Sequence, residues 1–486
     1  MGNAKQMLSR KPLARFGSRA MRGAVVLLLL ALLSSGLPSE TNDKRKNVLL
    51  TNGWRITPVG ILGEKMGDTL LGCALSPDGK TLAISNAGAQ THYVSLVDTT
   101  TGKVFFKSHP CLTQSGLVWS PNGRTLYASG GITPQIHVYT QSDTGAWGEY
   151  YEEDTIPLPD LAEKGSSYLA GMAVSPDGET VYIANLVNDT VYAIHTDTRK
   201  VRATHRFDTG ARPGCLRTGK DGALYVTLWA KAQVAKLDGM TLESKRTVMT
   251  GKHPNDILFH NKTNRIFVSC GNSDAVFVHD ARTGEVSEQI RVSLTPESPP
   301  GTTPSALALS PDGETLFVSN ADNNDVAVVA VAAPGRSRVR GFIPTAHYPT
   351  IVAVSADGKR LFIGSSKGIG TGPNGQPERG KIDPVMPRGY PYITQLMSGV
   401  LQNVAVPDDA KLAEYTRQVL KNTPYKGDAM KTHPPKAPES GENPVPSAVG
   451  EESPIRHVLY IIKENRSYDQ VLGDMRDKNG KPIGNG

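Results

Sequence analysis

Cysteine is scarce: Cys73, Cys111, Cys215 and Cys270 are the four in 486 residues. No pair has the close spacing of a zinc or redox site, and four thiols spread so widely do not form a disulfide scaffold, so they read as small buried apolar residues. Long hydrophobic runs are also missing. The longest, Ala24 to Leu33, has ten residues, half of the roughly 20 that cross a bilayer. A large basic body is absent too. The formal charge is +7, but the first 46 residues hold nine of the 53 Lys and Arg and two of the 46 acids, which leaves 44 against 44 elsewhere. That balance removes a nucleic-acid partner, because phosphate binding needs a basic face on the folded body. No haem motif or quinone-forming pair is visible.

What is present begins with export. Lys5, Arg10, Lys11, Arg15, Arg19 and Arg22 precede the apolar run, which ends in Ser34, Ser35 and Gly36. This order is that of a secretory signal peptide over residues 1–36, and it predicts a periplasmic or secreted protein with no stable membrane span after cleavage. No adjacent Arg pair is present, which favours ordinary unfolded export.

Glycine and proline together make 83 of the 486 residues, so the chain turns often and long helices should be few. The turns recur. Ser76-Pro77-Asp78-Gly79 returns as Ser120-Pro121-Asn122-Gly123, Ser175-Pro176-Asp177-Gly178, Ser310-Pro311-Asp312-Gly313 and Ser355-Ala356-Asp357-Gly358, with degenerate copies at Lys220-Asp221-Gly222 and Asn261-Lys262-Thr263-Asn264. Proline presets φ for a tight turn, and Asp or Asn followed by Gly tolerates the positions after it. Short apolar runs flank each copy, which predicts hairpins. The second runs start at Leu82, Leu126, Val181, Leu224, Ile266, Leu316 and Leu361, a mean spacing of about 46. Several strands with a period in the forties describe the blade of a propeller, because a lone four-stranded sheet cannot bury both faces until neighbours stack around an axis. The expected fold class is all-β, a seven-bladed β-propeller over residues 47–406, with Leu49 to Ile61 offered as the strand that closes the ring.

The pattern Val181-Tyr182-Ile183-Ala184-Asn185 and Leu316-Phe317-Val318-Ser319-Asn320 after the turn resembles the YVTN-type propeller family. That resemblance implies the propeller fold and no particular chemistry, because propellers host both binding and catalysis. His109, His253 and His347 each precede a proline near the expected start of an innermost strand. They read as turn or rim residues, against the alternative of an imidazole ring holding a transition metal. Asp98, Asp238 and Asp280 follow third strands and read as turn-formers. The glycine-rich stretch Gly364 to Gly375 fails the pattern of a phosphate cradle and reads as a long excursion from the last blade. Val400 to Val406 then reads as the returning strand and Asp408 to Leu420 as a short helix.

Residues 407–454 hold that helix and a linker, since Pro424 to Pro454 contains seven prolines in 31 residues. Then comes Ile455-Arg456-His457-Val458-Leu459-Tyr460-Ile461-Ile462-Lys463-Glu464-Asn465-Arg466-Ser467-Tyr468-Asp469, whose Val458 to Ile462 predicts a central strand buried on both faces. The segment resembles the alkaline-phosphatase-like phosphoesterase family, in the branch of bacterial phospholipase C and acid phosphatase, with Tyr468 where that family has Phe. The resemblance implies that residues 455–486 are the start of a phosphoesterase domain, that Glu464 and Asn465 are ligands of a divalent metal ion, and that the substrate is a phosphoester. His457, Arg466 and Asp469 read as supporting residues. Such an enzyme also needs a Ser or Thr nucleophile and later Asp and His ligands, and only 21 residues follow Asn465. The expectation is therefore an exported propeller that scaffolds a metal-dependent phosphoesterase, with its catalytic domain incomplete in this chain. The alternative is a non-enzymatic propeller that binds a small molecule or protein.

Overall fold

A computed structural model describes residues 47–142, 154–158, 167–296, 298–370, 393–424, 444–445, 453–462, 471–472 and 474–482. The chain divides into two compact units, Met1–Asp43 and Lys44–Gly486, and every described residue belongs to the second. The expected signal peptide lies outside the described residues. None of the helices described is long and apolar enough to cross a membrane.

The recurring turns are built as their residues dictate. In the first copy Ser76 Oγ donates to Asp78 Oδ1 at 2.6 Å, and that carboxylate accepts the Lys80 amide at 3.0 Å. Ser76 Oγ in turn accepts the Thr81 amide at 2.9 Å. The hydroxyl of Ser76, then the Lys80 amide, holds the Asp78 carboxyl below its ordinary range, against a smaller opposing effect of burial. The glycine takes the left-handed conformation, φ +71° at Gly79, which side chains resist. Blade 5 replaces the serine with His260, whose Nδ1 lies 2.7 Å from Thr263 Oγ1, and Asn264 supplies the positive φ.

Each turn joins the first two strands of a four-stranded antiparallel sheet. Six sheets follow chain order: blade 1 over 69–107, blade 2 over 117–157, blade 3 over 169–206, blade 4 over 213–249, blade 5 over 254–291 and blade 6 over 304–344. Blade 7 takes its three inner strands from Pro349–Val354, Arg360–Ser365 and Val400–Ala405, and its outermost strand, Ile61–Lys65, from the start of the propeller. The ring is thus closed by one sheet shared between the two ends. The closing strand lies C-terminal to the expected Leu49 to Ile61 and overlaps it only at Ile61. Within that segment Val48–Leu49 and Arg55–Ile56 pair with each other as a separate hairpin, because the turn at Gly53 folds them back before they can reach the ring.

The apolar core is distributed between blades. Separate buried clusters join blades 1 and 2, 2 and 3, 3 and 4, 4 and 5, 5 and 6, 6 and 7, and 7 and 1. Six second strands contribute an aromatic ring at one register: Tyr127, Tyr182, Tyr225, Phe267, Phe317 and Phe362. Full burial of a phenylalanine such as Phe267 contributes about 1.5–3 kcal/mol. Blade 1 has Ala83 at that register, and Trp119 of blade 2 packs in the same cluster, its Nε1 donating to Ala74 O at 2.9 Å.

The helix α1, Asp409–Asn422, is capped by Asp408, whose carboxylate accepts the Lys411 amide. It is part of the folded body and not of a linker. Leu412 and Val419 are buried in it, and Thr416 Oγ1 accepts the Phe342 amide at 2.9 Å, so the helix covers the outer strand Arg338–Pro344 of blade 6. Most of the Pro-rich stretch lies outside the described residues. Val458 to Ile462 forms no strand and pairs with none among the described residues, and these residues are 71–86% exposed, so the expected buried strand is not formed. A strand is buried only by neighbours on its edges and faces, and none of the described residues supplies them there.

Candidate binding channel

The upper face is taken as the one carrying the loops between an outermost strand and the next innermost strand, together with the hairpin turns between second and third strands. The innermost strands surround a central channel of about 520 Å³, to which all seven blades contribute. Its wall is fixed by two kinds of seam. In blades 1 to 3, Gly72, Gly116 and Gly171 bring backbone against backbone: a Cβ at any of them would collide with the carbonyl oxygen of Ser115, Ala170 or Gly214 on the next blade. In blades 5 to 7 a polar side chain spans the same gap. Asn255 Nδ2 donates to Pro304 O at 3.0 Å, Ser305 Oγ to Pro349 O at 3.3 Å, and Thr350 Oγ1 to Leu70 O at 2.5 Å. Hydroxyls on second strands support the bulged inner strands, as where Ser85 Oγ accepts the Gly72 amide at 2.9 Å and Thr227 Oγ1 the Cys215 amide at 2.8 Å.

One charged pair stands on this wall. Arg217 Nη2 lies 2.8 Å from Asp256 Oδ1, with 43% of the arginine side chain and 14% of the aspartate exposed. Arg217 also donates to Leu216 O at 2.9 Å. Asp256 is heavily engaged: Oδ1 accepts from the Ile257 amide at 2.9 Å and the Cys215 thiol at 3.4 Å, and Oδ2 from the Leu307 amide at 3.0 Å. Cys73 and Cys215 both line the channel. Burial pushes the Cys73 thiol up to about 12, with Asp256 adding to the rise and Arg217 opposing it. Burial likewise pushes Cys215 up to about 12, against Arg217 and with Asp256. Both sulfurs are therefore thiols at neutral pH, not nucleophilic thiolates. At the upper mouth Trp229 stacks on His253, ring centroids 3.9 Å apart, and donates from Nε1 to Asn255 Oδ1 at 3.2 Å.

The histidines do not make a ring. His253 immediately precedes the innermost strand Pro254–His260 and His347 stands two positions before Pro349–Val354, but His109 lies eight positions before Leu117–Trp119. His253 stacks on Trp229, and burial, then the nearby Lys367 charge, lowers His347 to about 4. Among the described residues no group of three or more His, Cys, Asp or Glu is placed to hold a metal. Asp98, Asp238 and Asp280 form turns: Asp280 Oδ1 accepts the amides of Arg282 and Thr283 at 2.9 and 2.7 Å, and Asp98 and Asp238 accept in the same way. Glu464 and Asn465 lie outside the described residues. Lys367, in the glycine-rich excursion, sits over the Tyr348 ring at 3.9 Å on the upper face, and residues 371–392 of that excursion are outside the described residues.

Arg217 and Asp256 carry no sequence motif. A signal existed in the repeat itself: aligning the innermost strands puts a charged residue in Pro213–Thr218 and Pro254–His260, where Pro304–Leu309 and Pro349–Val354 have none.

A family model for "Lactonase, 7-bladed beta-propeller" matches residues 72–233 and 226–368, more than half of the chain. This chain belongs to that lactonase-type propeller family. The matched residues run from blade 1 into blade 7, so the seven-bladed ring expected from the repeating hairpins is a property of the family as well as of this chain. The match does not extend to residues 455–486. Hydrazine synthase of Kuenenia stuttgartiensis is similar at 17% identity over 68% of this chain and 96% of that chain, with a TM-score of 0.50, a likeness of fold alone. A proposed 6-phosphogluconolactonase of Bacteroides fragilis NCTC 9343 shares 19% identity over 55% of this chain and 82% of that chain, with a TM-score of 0.44. No curated protein matches the chain.

Proposed function

We propose that this lactonase-type propeller is a binding module that takes a small organic ligand into its central channel, and that it accompanies a metal-dependent phosphoesterase. The observation that carries the first part is the Arg217–Asp256 pair on an otherwise uncharged channel wall. Asp256 accepts from Arg217, Cys215 and Ile257 at Oδ1 and from Leu307 at Oδ2, whereas Arg217 keeps donors to spare on its five N–H groups. The ligand therefore presents an acceptor, a carboxylate or a lactone or ester carbonyl, to Arg217. Hydrolysis of it by this wall is disfavoured, because a carboxylate held by an arginine and two backbone amides is a weakened general base and the two thiols are protonated. Calorimetry with gluconate and glucono-1,5-lactone tests the reading. Binding that weakens at least tenfold in Arg217→Met, without lactone turnover, is expected, whereas turnover abolished by Asp256→Asn would make the channel an active site.

The second part is favoured by the exposed run Val458 to Ile462, whose five large apolar side chains are those of a strand destined for the middle of a sheet. By the resemblance, Glu464 and Asn465 after it would hold a divalent cation, which polarises a phosphoryl oxygen when bound. Turnover of a chromogenic phosphate monoester or diester, lost on chelation and in Glu464→Ala, would support this part, and divalent-cation binding that Glu464→Ala leaves unchanged would overturn its ligand assignment. Export to the periplasm or medium belongs to the same reading, and sequencing the mature N-terminus, expected near Gly36, checks it.

A further inference from the structure

Outside the channel, the upper face carries a second cavity of about 230 Å³, set between the hairpin of Val48–Leu49 and Arg55–Ile56, Leu294 and residues 298–301 ahead of blade 6, and the turn at Asp322 and Asn323. We infer that it is a binding site for a neutral polyhydroxylated ligand of about the size of one sugar ring. The hydrogen-bonding groups on its wall are partly uncommitted. Asp322 Oδ2 accepts from Thr303 Oγ1 at 2.5 Å and leaves Oδ1 free. Asn52 Oδ1 accepts the Trp54 amide at 3.2 Å and leaves its NH₂ free. Asn323 Nδ2 donates to Thr302 Oγ1 at 3.4 Å and leaves its carbonyl oxygen free. Two acceptors and a donor facing one cavity match vicinal hydroxyls, each of which both donates and accepts.

The rest of the wall selects among polar ligands. None of the described residues lining the cavity is Lys or Arg, so a phosphate or other anion would meet only the Asp322 carboxylate. Trp54 supplies an aromatic wall for the apolar edge of a ring. The site is also preformed. Pro299 and Pro300 stiffen one side, Gly301 adopts φ +123° with open space where a side chain would stand, and Asp274 fixes the strip from below by accepting the amides of Gly301 at 3.0 Å and Thr302 at 2.7 Å. An organic cation is the nearest competitor, since a ring and a carboxylate also suit an ammonium group. The two amides and the lack of an enclosing aromatic cage favour the polyol.

The test uses the full chain with D-glucose, D-galactose, D-mannose and N-acetylglucosamine, followed by saturation-transfer NMR and calorimetry. At least one sugar is expected to bind, and Asn52→Ala and Asp322→Ala, both at exposed positions, are each expected to weaken it roughly tenfold while the thermal transition is retained. Arg217→Met in the channel should leave the sugar affinity unchanged. The inference is overturned if no sugar binds at ~50 mM, if tetramethylammonium binds in preference to every sugar, or if Arg217→Met abolishes binding that Asp322→Ala retains.

Discussion

Asp256 on blade 5 holds Arg217 of blade 4 at 2.8 Å through Oδ1 and the Leu307 amide of blade 6 at 3.0 Å through Oδ2, so one carboxylate ties three consecutive blades at the channel wall. The two contacts differ in worth. Arg217 is 43% exposed, and a solvent-screened pair contributes about 1 kcal/mol at most. Removing the carboxylate instead strands two backbone amides, those of Ile257 and Leu307, at about 1–3 kcal/mol for a buried donor left unmade. Asp256→Ala should therefore destabilise the propeller by about 2–3 kcal/mol and Arg217→Ala by about 1 kcal/mol or less. Urea denaturation of both variants checks the order, and the reverse order would mean that the ion pair, not the amide clasp, is the stabilising element.

Two glycines separate close approach from backbone conformation. Gly72 has no positive φ, but a Cβ there would run into the Ser115 carbonyl of the next blade, and backbone cannot yield as a side-chain tip can. Gly222 has φ +73° and nothing within 4 Å of the place a Cβ would occupy. Gly222→Ala should cost only the left-handed strain, about 1 kcal/mol. Gly72→Ala should cost about 3 kcal/mol or prevent ring closure, read as loss of soluble protein or of the thermal transition.

The channel thiols should be silent. With Cys73 and Cys215 both pushed up to about 12 and Cys270 up to about 11 by burial, these three should react only slowly with a thiol reagent in the folded protein at pH 8. All four should react once the chain is unfolded in denaturant. Mass spectrometry after a timed alkylation distinguishes the sites, and rapid labelling of Cys215 in the native state would mean that Arg217 stabilises its thiolate.

The fold was legible because its turns are local chemistry. Ser, then Asp or Asn, then Gly at fixed offsets specify the same hydrogen bonds in five of the seven copies, and the following strand is buried on both faces and reads as an apolar run. The outermost strands were not legible. Val201–Arg206 and Ser244–Met249 are half exposed, and their residues carry little apolar signal. The closing strand Ile61–Lys65 was misplaced for the same reason, since it buries little beyond Leu62. Arg217 and Asp256 meet across 39 positions, in the two blades whose turn copies are the most degenerate, so no spacing brings them together.

Asp325 makes stability depend on alkali. It is fully buried in the third strand of blade 6, where Asn320 Nδ2 donates to its Oδ1 at 2.8 Å and Oδ2 has no partner. Burial pushes its carboxyl up to about 8, with the Asn320 contact pulling the other way, so the folded protein keeps it protonated at neutral pH. The unfolded chain releases that proton near 3.8. Between those values the folded state binds more protons than the unfolded one, so stability falls as pH rises from about 4 to about 8. His347 acts at the other end. Burial, reinforced by Lys367, lowers it from 6.5 to about 4, so its contribution is full above 6.5 and is lost as pH falls from there to about 4. Asp325→Asn preserves the shape and the Asn320 contact partner while removing the titration. From about pH 4 to 6.5 the two contributions oppose each other, so Asp325→Asn should remove the fall in melting temperature from pH 6.5 to 8 and steepen the rise below it, whereas His347→Gln should extend the fall down to about pH 4. A melting profile of Asp325→Asn that still declines with the parent's slope above pH 6 would show that the carboxyl reaches solvent or a buried donor when it ionises.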